Sequence, residues 1–169
     1  MAEPEAIREL GEVRRQLELA LRSQDEDLRK RATHDAMAAL ARAGFAAHRH
    51  PEQRDDPAFG RLIEACAALL PRLTGDIGLF LHATARPFRS GWDETDWERA
   101  CNRRSSLAFL EELFAATPAR EYLDGLDTGW IDDLLRDKGI TEGSLPPEEI
   151  PSGAPPTHWW WWYPDPPPA

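Results

Sequence analysis

Lysine is nearly missing from this chain of 169 residues: Lys30 and Lys138 stand alone, and every other basic residue is arginine. Twenty basic side chains face 30 acidic ones, for a formal net charge of −10. That balance argues against a nucleic-acid binder, which needs a basic face, and against electrostatic attachment to anionic lipid. Cysteine is scarce too. Cys66 and Cys101 fall at apolar positions of separate predicted helices, where a thiol packs as a small hydrophobe and a disulfide is not expected in a reducing compartment. Apolar runs are short; Ala65-Cys66-Ala67-Ala68-Leu69-Leu70 is among the longest, far below the ~20 residues that a membrane-spanning helix requires. The start, Met1-Ala2-Glu3-Pro4-Glu5, is acidic and lacks the basic-then-apolar layout of a secretion signal. These features predict a cytoplasmic protein, and the Arg, Ala and Pro richness suggests a bacterial one.

Chemical motifs are absent as well. The sequence has no Gly-rich phosphate loop, no Gly-x-Ser-x-Gly, no His-Glu-x-x-His and no Cys-x-x-Cys, the short patterns that carry a physical mechanism. No Asn-Gly or Asp-Gly turn stands between alternating segments, so hairpins are not expected. The expectation is a non-enzyme with no cofactor and no metal.

Helix punctuation, by contrast, recurs. Ile7, Leu10, Val13, Leu17 and Leu21 form one apolar stripe and predict a helix from about Pro4 to Arg22. Ser23-Gln24-Asp25-Glu26 reads as a capping box opening a second helix that Gly44 ends. Phe45 to Asp56 reads as a connection. Asp56-Pro57 restarts a helix whose stripe (Phe59, Leu62, Ile63, Cys66, Leu69, Leu70) is the most apolar in the chain, and it is the expected central helix. Pro71 ends it. A shorter helix follows to about Arg86. Thr95-Asp96-Trp97-Glu98 opens another to about Ala116, interrupted by the polar turn Asn102-Arg103-Arg104-Ser105-Ser106. Two short helices start near Thr117-Pro118 and Asp127-Thr128, the second closed by Lys138-Gly139. The predicted fold is all-α: a single domain of six or seven helices in bundle-like or orthogonal packing over residues 1–138, then an extended Pro/Trp-rich tail over 139–169.

That tail holds nine of the 15 prolines and neither Lys nor Arg. It also holds the run His158-Trp159-Trp160-Trp161-Trp162-Tyr163. In an extended chain, Trp159, Trp161 and Tyr163 would share one face, and Trp160 and Trp162 the other. Three buried rings represent roughly 10 kcal/mol of gross transfer free energy. Flanking prolines lower the cost of ordering the segment. The run is therefore expected to be sheltered by protein, either as a latch on its own helical body or as a docking motif in the groove of an unidentified protein partner. A mixed case has one face inward and the other presented. His158 is expected to orient the tail through a hydrogen bond.

Trp92, Trp97, Arg103 and Arg104 are candidate secondary contacts. The polar turn around Arg103 and Arg104 is expected to face water or a partner, and to hold either Glu148-Glu149 or an acidic group on that partner. His48 and His50, near Asp55 and Asp56, lack specific metal-ligand spacing and read as solvated. His34 beside Asp35 makes no constellation, and His82 reads as a core histidine. The carboxylates between Trp92 and Glu98, like Asp132-Asp133, suit the positive end of a helix dipole. The leading functional expectation is a non-enzymatic bacterial interaction protein, an adaptor or accessory subunit. One alternative is an acidic immunity- or antitoxin-like protein masking a basic effector. The other is a small helical metal-dependent hydrolase, which would need His48, His50 and distant carboxylates to converge.

Overall fold

The computed structural model describes residues 3–86, 88 and 96–168, with the backbone alone at 141 and 142. Seven α-helices appear among them: α1 (Glu5–Arg22), α2 (Glu26–Arg49), α3 (Pro57–Leu69), α4 (Thr74–Thr84), α5 (Asp96–Phe114), α6 (Arg120–Leu123) and α7 (Gly129–Glu142). Short 3-10 turns lie at Pro51–Asp55, Leu70–Arg72, Pro147–Glu149 and Trp159–Trp161, and the described residues contain no strand. The all-α expectation holds. No helix among the described residues is long and apolar enough to cross a membrane.

Local chemistry sets the helix starts. Asp56 Oδ1 accepts from the Ala58 N–H at 2.8 Å, with Pro57 in the first turn, the arrangement its sequence suggested. At α2 the cap is Asp25, whose Oδ1 accepts from Asp27 and Leu28 N–H at 2.9 and 3.0 Å. Ser23, the expected cap, instead bonds Asp25 from outside the helix. The three-residue link lets α1 and α2 pack side by side as a hairpin. One contiguous apolar cluster takes buried side chains from all seven helices and includes Trp160 and Trp161.

Three expectations need correction. The central helix is α2, which buries twelve residues from Ala32 to Ala47, not α3, which buries four. Its alanines let α1, α4 and α5 approach closely. Gly44 does not end α2, which continues to Arg49 through the first five residues of the supposed connection. A Cβ at Gly44 would run into the Phe109 ring, so this glycine exists for close approach. Gly139 likewise lies inside α7, which runs to Glu142, past the expected boundary at 138. A side chain there would meet Tyr163, and the Trp97 ring would be 2.8 Å away.

Candidate functional site

The apolar stripe of α5 passes through Cys101, Ser105 and Phe109, three positions four residues apart on one helical face. Ser105 sits in that stripe with no solvent exposure. The polar turn thus points inward at this position, against expectation: Arg104, Ser105 and Ser106 are all buried.

The C-terminal segment covers this face. It is not extended throughout, as expected, but coils at Trp159–Trp161 into a 3-10 turn. The His158 N–H donates to the Pro155 carbonyl at 2.8 Å, and the Trp162 and Tyr163 N–H both donate to the Trp159 carbonyl at 3.1 Å. The Ser144 N–H donates to the Tyr163 carbonyl at 2.8 Å, tying the end of the run to the residues after α7. The turn matters for side-chain direction. Successive residues of a 3-10 helix project about 120° apart, whereas those of an extended chain point to opposite sides. Adjacent Trp160 and Trp161 can therefore address one atom.

That atom is Ser105 Oγ. It accepts from Trp160 Nε1 at 3.1 Å and from Trp161 Nε1 at 2.9 Å, and it lies 3.0 Å from His158 Nδ1. A hydroxyl has one proton and two lone pairs. Two indole N–H groups fill the lone pairs, so the hydroxyl proton goes to His158 Nδ1. His158 is therefore neutral, with its own proton on Nε2. Burial, the largest influence, pushes its pKa down to about 3, which favours the same state. The partner of His158 is thus Ser105, a residue of the polar turn 102–106 that carried no expected contact of its own with the tail.

Neighbouring groups complete the packing. The His158 ring stacks on Trp160 at 4.7 Å and lies 4.6 Å from the Phe109 ring. Phe45 meets Trp161 edge-on at 6.0 Å. Burial pushes the Cys101 thiol up, so it stays protonated and donates to the Trp160 carbonyl at 3.4 Å. Trp160 and Trp161 are 2 % and 0 % exposed, while Trp159, Trp162 and Tyr163 are half-buried. Arg136 stands 4.7 Å over the Trp159 ring.

The secondary contacts divide. Arg104 stands 4.6 Å over the Trp160 ring, and its Nε and Nη2 donate to Asp132 at 2.6 and 3.2 Å. It does not hold Glu148-Glu149, both of which are exposed. Among the described residues its Nη1 has no hydrogen-bond partner; the π face of Trp160 neighbours the guanidinium instead. Arg103 donates to the Ala83 carbonyl at 3.0 Å. Trp97 is buried beside Gly139, next to Tyr163. Trp92 lies outside the described residues.

Ser105 and His158 have the hydroxyl–imidazole contact of an activated nucleophile. They cannot act as one in this state. Both hydroxyl lone pairs are engaged, and the oxygen is inaccessible. His48 Nε2 is bonded to both Glu112 oxygens at 2.9 and 3.1 Å, and Arg54 joins the same carboxylate. His50 lies near Glu52. Among the described residues no three His, Cys, Asp or Glu side chains group as a metal site. The residues of the tail had a visible signal in their aromatic density. The signal for Ser105 was subtler: a hydroxyl residue at a core position of the α5 stripe. Comparison with protein-family models, with curated proteins and with solved structures finds no match for this chain.

Proposed function

We propose that this is a non-enzymatic interaction protein, an adaptor or accessory subunit, whose Trp-rich segment latches onto its own helical body and presents the rest of its aromatic edge to a protein partner. One observation carries the reading: His158, Trp160 and Trp161 converge on the buried Ser105 hydroxyl. The latch half of the run is thereby held by directed bonds as well as by burial. The remaining part, Trp162 and Tyr163, is half-buried and leads into exposed Pro164, Asp165, Pro166 and Pro168. Aromatic anchors beside proline-restricted backbone suit groove recognition, because the rings supply contact area and the prolines reduce the ordering cost.

The reading as an acidic immunity- or antitoxin-like protein masking a basic effector draws less support. Glu9, Glu18, Asp76, Glu112 and Asp132 are ion-paired with arginines, so these carboxylates sit in mixed-charge pairs and do not form a single-sign patch, while the net charge stays −10.

Trp162→Ser separates the two halves. The proposal expects thermal unfolding close to that of the wild type and loss of the proteins recovered from source cells with the wild-type chain as bait. Recovery of the same proteins by the variant would refute the docking half.

A further inference from the structure

A second face of α5 does something different. Arg99, Asn102, Arg103 and Ser106 recur at helical three- and four-residue steps and, with α2, enclose a cleft of about 760 Å³. Pockets of ~300–1,000 Å³ are typical of small-molecule sites. α2 lines the cleft with His34, Asp35, Arg42 and Phe45 and, between them, the small Ala38 and Ala41, which leave the space open. Phe45 and Phe80 add apolar wall.

Five arginines among the described residues are at least partly withdrawn from solvent: Arg29, Arg49, Arg54, Arg103 and Arg104. Four of them are ion-paired, with Asp76, Glu5, Glu112 and Asp132 respectively. Among the described residues Arg103 makes no salt bridge; its hydrogen bond is from Nη1 to the Ala83 carbonyl, and the Asp96 charge acts on it through space. Withdrawing a charge from water without a counter-charge is costly, and a guanidinium fork suits a carboxylate in two-point contact. The surroundings sharpen the need. Burial first, then the Arg99 charge, lowers the Arg103 pKa against the opposing pull of Asp96, and burial followed by Arg103 holds His34 below the usual histidine range. Asp35 and Glu98 line the cleft together with Arg42, Arg99 and Arg103, so its lining carries one more positive than negative side chain, a balance suited to a single negative group.

We infer that this cleft binds a small organic monocarboxylate, its carboxylate on Arg103 and its apolar body over Ala38, Phe45 and Phe80. Of these residues only Phe45 also belongs to the tail junction, where it meets Trp161; Arg103 and Ala38, which the test changes, do not.

The test is a two-dimensional NMR titration of the full chain with phenylacetate and with octanoate, using phenylacetamide and inorganic phosphate as controls. Saturable shifts at Ala38 and Asn102 are expected with both acids. Phenylacetamide should bind at least about tenfold more weakly, because it loses the charge-assisted bonds. Arg103→Gln should weaken both acids by a similar factor, with spectral dispersion reporting that the fold persists. Ala38→Trp, at an exposed position of the floor, should abolish binding without touching the arginine. The inference is overturned by no saturable shift at the cleft with either acid. Binding that survives R103Q, or equal binding of phenylacetamide, also overturns it.

Discussion

Trp161 Nε1 donates to Ser105 Oγ at 2.9 Å, joining the C-terminal segment to the middle of α5 across 56 residues of chain, and neither residue is exposed to solvent. With Trp160 on the second lone pair and His158 taking the proton, a single hydroxyl meets its full hydrogen-bonding capacity on the tail alone.

Ser105→Ala should therefore destabilise the protein well beyond the loss of one ordinary hydrogen bond. Two buried indole N–H groups and an imidazole nitrogen would lose their partner together, at about 1–3 kcal/mol for each buried group left unsatisfied. A fall in melting temperature on the order of 10 °C is expected for a chain of this size. Calorimetry against Ser152→Ala, a change at an exposed serine, measures it. Similar melting of the two variants would mean the junction contributes little.

Acid should loosen the same junction. In the folded chain His158 titrates at about 3; in the unfolded chain it should titrate near the ordinary histidine value of ~6.5. Between those values the unfolded state binds the extra proton, so stability rises with pH across that window and is lost as pH falls below ~6.5. His158→Asn offers a carbonyl oxygen that can accept the Ser105 proton without titrating. Urea unfolding at stepped pH should give it a shallower loss between pH ~6.5 and ~4 than the wild type. Parallel slopes would exclude His158 as the group responsible.

Gly44→Ala inverts a usual rule. In an open helix the change stabilises by about 1 kcal/mol. Here the new methyl meets the Phe109 ring, so a loss of ~1–3 kcal/mol from overpacking is expected. Pairing it with Phe109→Leu should recover part of the loss, and a double-mutant cycle reads that coupling. Simple additivity would show that the ring gives way freely.

The Arg104–Asp132 pair is 8 % and 19 % exposed at its side chains. Asp132→Ala strands a guanidinium among buried groups and should cost ~3–5 kcal/mol. Arg104→Met keeps the stem volume while removing the charge, so it should cost less. Chemical denaturation ranks the two, and the reverse order would contradict the geometry.

The helices were legible because apolar spacing and caps such as Asp56-Pro57 are local signals. Gly44 and Gly139 misled for one shared reason. A glycine ending a helix and one admitting a ring look alike in sequence, and only the tertiary partner, Phe109 or Tyr163, distinguishes them. The Trp run announced that it needed shelter, but its backbone did not follow from composition. Prolines favour extended chain, yet addressing one oxygen with neighbouring indoles requires a turn. Arg104 and Ser105 read as solvent-facing because their partners, Asp132 and the tail, lie 28 and 53–56 residues away.

Urea unfolding of a chain truncated after Leu145 addresses most directly whether the C-terminal run completes the core. Removing Trp160 and Trp161 strips two large buried rings, each worth ~3–5 kcal/mol when cut to Ala. The expected result is a chain with a much lower midpoint, or one without a cooperative transition. A truncated chain that unfolds at the wild-type midpoint with the wild-type slope would contradict the account.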